Sequence, residues 1–176
     1  VHQWRNAGGA EIGGAGDLAV IENKTAKLFE AACRLGAVLA QQPPATESAL
    51  AGFGNRLGCA FQIADDVMDY TGDGSMMGKN VGDDLAEGKP TLPLILARRR
   101  CAARDRSFID AAVREGGRKN LPRVLTVIRD TGALESSMMM ADELAQQALG
   151  LLQTLPDTDW RQALEALAQH SIRRHL

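Results

Sequence analysis

Aspartates are the clearest chemical feature of this 176-residue chain, because six fall within twenty residues near its middle. They are Asp65, Asp66, Asp69, Asp73, Asp83 and Asp84. If residues 61–70 form a helix, Asp65 and Asp69 lie one turn apart on the same face, with Asp66 beside them. Like charges at this spacing repel each other, so the pattern calls for a positively charged partner.

The surroundings of these aspartates predict that their side chains are partly buried, since apolar residues lie before and between them. Partly buried carboxylates without a partner cost several kcal/mol, so a cation is expected among them. Oxygen-only ligands suit Mg²⁺, which typically joins one or two carboxylates to the phosphates of a substrate. Lys79 and Lys89 are the nearest basic residues in sequence, and a lysine binds phosphate oxygens as a compact charge.

A plainer interpretation treats this segment as an acidic, solvated helix end that leads into a polar loop. A DDxxD pattern alone would be compatible with that interpretation. Gln62 before the aspartates and Gly-Lys pairs at 78–79 and 88–89 after them favour a diphosphate site held by metal and lysine.

The spacing of apolar residues predicts helices around this segment, and no stretch alternates with period two. The predicted helices cover residues 18–40, 46–70, from 91 onward, 104–115, 120–131, 133–155, and a last one capped by Asp157 or Asp159. Residues 72–90 are rich in glycine and predict a long polar loop. We therefore expect an all-α protein with one irregular Gly-rich segment, residues 1–17, before a single domain of residues 18–176.

Net charge, cysteine content and the length of apolar runs narrow the range of functions that the chain could have. A net charge of −2 gives no electrostatic reason to expect nucleic acid binding. The longest basic run, at residues 98–100, reads as a solvated helix end. Three cysteines without a CxxC pair argue against structural zinc and fit a reduced, cytoplasmic setting. No apolar run reaches the length of a membrane span, so no transmembrane segment is expected.

Three segments of the chain together resemble the trans-isoprenyl (polyprenyl) diphosphate synthase family. FQIADDVMDY, GKNVGDD and EGKPTLPLI are similar to the second aspartate-rich motif of that family and its flanking loop. IENKTAKLFEAACRLGAVLA resembles the helix that carries a Lys-Thr pair, here Lys24 and Thr25, and ALEALAQHSIRR resembles the C-terminal helix. The resemblance covers roughly residues 18–176.

The resemblance implies an isoprenoid-synthase-type helical bundle, of which this chain is about half. It implies a prenyltransferase that condenses an allylic diphosphate with isopentenyl diphosphate, and it implies either a homodimer or a complementing N-terminal half as the protein partner. Asp65, Asp66 and Asp69 would ligate Mg²⁺, Asp65 most directly. The residues implied for the allylic substrate are Lys24, Lys79 and Lys89 on the diphosphate, Thr25 and Gln62 in support, and Phe61 along the prenyl pocket.

The family's first aspartate-rich motif and its isopentenyl diphosphate residues have no counterpart among these 176 residues. The chain thus resembles a C-terminal half, and we expect it to be inactive without a complementing N-terminal half. The alternatives are a catalytically incomplete fragment and a non-catalytic helical partner subunit. A terpene cyclase also uses DDxxD, but the Lys-Thr, Phe-Gln and Gly-Lys pairs favour chain elongation. Where absent helices would pack, the helix at 46–70 is expected to expose an apolar face.

Overall fold

The computed structural model of the chain describes residues 25–71, 81–116 and 118–173. These ranges hold eight α-helices: α1 Lys27–Leu39, α2 Pro44–Thr71, α3 Asp83–Ala86, α4 Leu92–Arg100, α5 Ala103–Glu115, α6 Leu121–Asp130, α7 Ala133–Leu152 and α8 Asp159–Arg173. They contain no β-strand, which confirms the predicted all-α class. Within the same ranges no helix is both long enough and apolar enough to cross a membrane.

The turn between α1 and α2 sets where the long central helix begins. Gln41 adopts a left-handed backbone conformation with φ of 50°. The amides of Gln41 and Gln42 bond back to the carbonyls of Val38 and Ala37, the pattern of a Schellman motif. Pro44 then opens α2, because its fixed φ suits a first helical turn and its missing amide costs nothing there.

Residues 65–71, 81–116 and 118–138 belong to one of two compact units, with α4 at its centre. Every side chain of α4 from Leu92 to Ala97 is buried, and the helix packs against α5 and α6. The predicted loop at 72–90 is wrong in one part, because α3 lies within it. At the start of α3, Gly82 has φ of 81° and packs so closely on Leu121 that a Cβ would lie 2.5 Å from its Cδ1. Glycine suits this crowded, left-handed position, and α3 begins directly after it, within the predicted loop.

The basic run at the end of α4 ties helices together, whereas a solvated helix end was predicted. Arg98 forms a two-pronged ion pair with Asp110 of α5. Arg100 donates to the carbonyls of Thr131 and Gly132. The guanidinium groups of this run therefore stabilise the unit by joining α4 to neighbouring segments.

Residues 25–64 and 139–173 belong to the second unit. Its core is formed by side chains of α2, α7 and α8: Phe53, Leu57, Ala148, Leu152 and Ala168. Phe29 and Cys33 of α1 pack against this core. Gly54 and Gly58 of α2 allow α1 to approach, since a Cβ on Gly58 would lie 2.7 Å from the Cα of Ala26.

Large apolar side chains are exposed on α1, α7 and α8, whereas their exposure was predicted on α2. No large apolar side chain of α2 is exposed, and all residues of α2 are described. On α1, by contrast, Leu28 and Leu39 are 72% and 75% exposed. The apolar stripe that predicted α1 thus points to solvent, while the opposite side of the helix packs on the core.

Candidate functional site

The first aspartate with a clear structural position is Asp66, whose residue is only 4% exposed. Its Oδ2 accepts the backbone amide of Leu92 at 3.4 Å, and Leu92 is the first residue of α4. A carboxylate at a helix N-terminus satisfies an amide that lacks a partner inside the helix. Asp66 therefore caps α4 from the side, although it is far away in sequence.

A buried hydroxyl pair supports the same junction between α2 and α4. Tyr70 and Thr91 share a hydrogen bond of 2.8 Å between their hydroxyl oxygens. Thr91 holds the N-cap position of α4, but its side chain makes no cap there. Burial raises the pKa of Tyr70, so the phenol stays protonated and can donate. Sequence reasoning missed this pair, which has no motif of its own.

Asp69 connects the end of α2 to the start of α3. Its Oδ1 and Oδ2 accept the amides of Asp83 and Asp84 at 3.0 and 3.2 Å. Its own carbonyl accepts the amide of Gly82 at 2.8 Å. The side-chain carboxylate and the backbone carbonyl of Asp69 thus both bind the segment at which α3 begins.

The electrostatics around Asp69 favour added positive charge. Burial, followed by the negative charge of Asp84, raises the pKa of Asp69 to about 6. The two amide hydrogen bonds act in the opposite direction and only partly offset these effects. A carboxylate whose charged form is disfavoured at this position would be stabilised by a bound cation.

Two basic side chains form ion pairs with acidic residues in and directly after α3. Lys89 donates to Asp84 at 3.3 Å and to Glu87 at 2.5 Å. The bond with Glu87 raises the pKa of Lys89, with Asp84 contributing. Arg118 pairs with Asp83, a contact that the sequence did not predict, because only the packing between α5 and α6 brings this arginine close. Lys89 therefore lies in an acidic cluster near the aspartates, as a phosphate-binding lysine there would.

The predicted supporting residues Thr25 and Gln62 contact each other in the second unit. The Thr25 hydroxyl donates to Oε1 of Gln62 at 2.6 Å, and Gln62 is buried. Next to them, the rings of Phe61 and Phe29 lie 5.9 Å apart between centroids. Lys24 and Lys79, the other two predicted site residues, lie outside the described residues.

The three aspartates of the DDxxD run do not converge on one point. Asp66 turns to α4 and Asp69 to α3, while Asp65 is half-buried on the helix. Within the described ranges, no group of three or more acidic, histidine or cysteine side chains is arranged to hold a metal ion. Hard carboxylate oxygens in this acidic cluster still fit Mg²⁺, because this ion needs only one or two protein carboxylates when substrate phosphates supply the rest.

Comparison with known proteins places this geometry in context. The polyprenyl synthetase family matches residues 17–130. Octaprenyl diphosphate synthase of Escherichia coli (strain K12) is 43% identical over 175 residues, which are 99% of this chain and 54% of that protein. The geranyl-diphosphate-specific all-trans-nonaprenyl-diphosphate synthase of Rhodobacter capsulatus is 41% identical over 157 residues, or 89% of this chain and 48% of that protein.

A solved structure agrees with these matches. The polyprenyl synthase of Caulobacter crescentus CB15, complexed with calcium and isoprenyl diphosphate, superposes with a TM-score of 0.85. The two chains are 40% identical, and the match covers 99% of this chain and 54% of the Caulobacter crescentus protein. The helices and their order therefore define the all-α isoprenoid synthase class.

Within that fold class, the chain can be assigned to one family. The chain belongs to the polyprenyl synthetase family. It spans about half the length of the curated relatives it matches. The predicted family and fold are thus confirmed.

Proposed function

We propose that this chain is the metal- and allylic-diphosphate-binding part of a polyprenyl diphosphate synthase, and that residues 18–176 form the C-terminal part of its helical domain. The observation that carries the proposal is the position of Asp69 at the end of an aspartate-rich helix, where its carboxylate accepts the amides of two further aspartates, Asp83 and Asp84. Support comes from the relatives, which are octaprenyl and nonaprenyl diphosphate synthases. The Caulobacter crescentus relative was complexed with calcium and isoprenyl diphosphate, a cation and a substrate of this kind.

The aspartates divide the work of holding the metal. Asp65 is the direct ligand in this proposal, and Asp69 adds negative charge beside it. Asp66 keeps α4 in place through the amide of Leu92. When bound, Mg²⁺ neutralises the diphosphate and makes it a better leaving group.

The basic and polar residues bind the diphosphate itself. Lys24, Lys79 and Lys89 contact its oxygens, with Thr25 and Gln62 in support. Lys89 exchanges its partners Asp84 and Glu87 for phosphate oxygens when substrate binds. This exchange keeps the positive charge of the partly exposed Lys89 paired in both states.

The reaction that this arrangement serves is chain elongation. The carbon–oxygen bond of the allylic diphosphate breaks, and the double bond of isopentenyl diphosphate attacks the resulting cation before a proton is lost. Charge develops mainly on the leaving diphosphate, so fixed positive groups supply the stabilisation. No side-chain nucleophile is required, and Phe61 lines the path of the prenyl chain.

One substitution with a matched control tests the proposal. Asp65→Ala should abolish the rise in melting temperature that farnesyl diphosphate and Mg²⁺ give the wild-type chain. Asp142→Ala removes an exposed carboxylate from α7 and should leave that rise unchanged. Equal stabilisation of both variants would contradict the role given to Asp65.

A further inference from the structure

The hydroxyl of Thr91 is not used for the purpose that its position suggests. Thr91 is the N-cap of α4, and threonine favours N-cap positions because its side chain can accept an amide of the first turn. Here the side chain makes no such bond, and the hydroxyl instead shares a hydrogen bond of 2.8 Å with Tyr70 of α2. Asp66, also on α2, accepts the amide of Leu92. The start of α4 is therefore joined to α2 by two separate contacts.

The pairing of Tyr70 with Thr91 adds direction to this junction more than it adds stability. The two residues are 5% and 4% exposed, so bulk water has little access to either side chain. A buried hydroxyl that loses its partner is destabilising, whereas two apolar groups of the same shape in its place can be nearly neutral. A hydrogen bond fixes the distance and the angle between its two groups, which an apolar contact does not.

Lys89 lies two residues before Thr91 and is also held from its other side. Its amide donates to the carbonyl of Asp84 at 2.8 Å, and the amide of Asp84 donates to Asp69 at 3.2 Å. The backbone of Lys89 is thus joined to Asp69 through α3 and to Tyr70 through Thr91. Asp69 and Tyr70 are neighbours at the end of α2, so both connections lead to the same turn of the aspartate-rich helix.

We infer that Tyr70 and Thr91 are positioning residues, whose hydrogen bond fixes the backbone of Lys89 relative to the aspartates of α2 for binding a diphosphate. Lysine has a long, flexible side chain, and a fixed backbone reduces the conformational freedom that it loses on binding. The inference rests on the proposed function, because Lys89 is assigned to the diphosphate there.

A purely structural role for the hydroxyl pair is the alternative, and it predicts a different pattern. A pair that only stabilises the fold would change the free energy of unfolding and leave the affinity of the folded chain for diphosphate unchanged. A pair that positions Lys89 would change this affinity, and only while the lysine is present. Coupling between the pair and Lys89 therefore separates the two roles.

A double-mutant cycle measures this coupling, with farnesyl diphosphate and Mg²⁺ titrated calorimetrically into the full chain at a temperature where every variant is folded. Lys89→Met should weaken binding about tenfold or more, because a charged contact is lost. Joint replacement by Tyr70→Phe and Thr91→Val should weaken it about three- to tenfold. In the Lys89→Met background the same replacement should change affinity by less than about twofold. Thr91→Ser keeps the hydroxyl and should bind within about twofold of wild type.

Ser137→Ala is the matched control, since Ser137 is a buried residue of the same unit whose hydroxyl donates to the carbonyl of Ala133 at 2.8 Å. It should leave the affinity for farnesyl diphosphate within about twofold of wild type. Amide hydrogen exchange of the chain in EDTA, without diphosphate, gives a second readout. Joint replacement of Tyr70 and Thr91 should speed the exchange of the Lys89 amide and leave that of residues 121–130 in α6 unchanged.

The possible failures of the inference and of the proposed function differ. Wild-type affinity after removal of the hydroxyl pair, an equal loss with and without the side chain of Lys89, an equal loss in Ser137→Ala, or unchanged exchange of the Lys89 amide would each overturn the inference alone. Absence of binding by the wild-type chain, or wild-type affinity in Lys89→Met, would contradict the proposed function and overturn the inference with it.

Discussion

At the residue scale, the DDxxD run combines three different environments in five positions. Asp66 is buried and caps α4, Asp69 holds the amides that begin α3, and Asp65 is half-buried. Asp66 and Asp69 thus organise the starts of α4 and α3. In the proposed function the same run of residues also binds the metal ion, with Asp65 as the direct ligand.

The difference between Asp65 and Asp66 has a measurable consequence for stability. Asp66→Ala should lower the free energy of unfolding by about 1–2 kcal/mol, because α4 loses its cap and a buried amide loses its acceptor. Asp65→Ala should leave it unchanged or slightly higher, since it removes one of several repelling charges. Urea unfolding in EDTA measures both. Equal losses would show that the assigned division between cap and ligand is wrong.

The sequence predicted the helix that carries the DDxxD run better than the contacts that each aspartate makes. The DDxxD spacing and the Gly-Lys pair at Lys89 follow from local pattern and resemblance. The cap of Asp66 on Leu92 and the pairing of Arg118 with Asp83 depend on tertiary packing across 26 and 35 residues. No local rule connects positions so far apart, so these roles had to come from the structure.

At the scale of elements, the close crossing of α1 and α2 depends on two glycines one turn apart. A Cβ on Gly54 would lie 2.4 Å from the carbonyl oxygen of Phe29, and one on Gly58 would meet Ala26. Both obstacles are backbone atoms, which cannot rotate away as a side chain can. The crossing brings Thr25 within hydrogen-bond distance of Gln62.

A pair of glycine substitutions tests this crossing. Gly58→Ala should destabilise the protein by about 1–3 kcal/mol, because the helices must separate to admit the methyl group. Gly36→Ala in α1 meets no atom within 4 Å and should stabilise by about 0.5–1 kcal/mol through helix propensity. Thermal melts of both variants decide the matter. A stabilising Gly58→Ala would mean that the two helices do not approach this closely.

Helix positions followed from apolar spacing, whereas the burial of helix faces did not. Residues 46–70 were predicted for α2, which spans Pro44–Thr71. The stripe through Leu28, Leu35 and Leu39 predicted α1 correctly, yet it is exposed. Periodicity reports that a face is apolar, but it carries no information about which segment covers it.

At the scale of the whole molecule, the chain holds about half of a family fold. We propose that this half binds the departing diphosphate, and we expect the attacking isopentenyl diphosphate to depend on family residues that have no counterpart among these 176 positions. Holding both substrates together accounts for a large part of the rate in two-substrate reactions. A half with only one substrate site forfeits that contribution.

The isolated chain should therefore not elongate prenyl chains. Incubation with labelled isopentenyl diphosphate, farnesyl diphosphate and Mg²⁺ should yield no extended product. Each tenfold loss of rate corresponds to about 1.4 kcal/mol of transition-state stabilisation, and the chain is expected to lack one of the two metal-ligand sets and one of the two substrate sites. Escherichia coli octaprenyl diphosphate synthase serves as the positive control. Turnover comparable to that enzyme would require substitute ligands, with Asp83 and Asp84 the first candidates.

The central claim is that this chain binds an allylic diphosphate through a metal ion. Calorimetric titration of the wild-type chain with farnesyl diphosphate, once with Mg²⁺ and once with EDTA, tests it most directly. Binding with Mg²⁺ and its loss in EDTA are expected, because the carboxylates of α2 repel a diphosphate unless a cation lies between them. Equal binding under both conditions would contradict the claim.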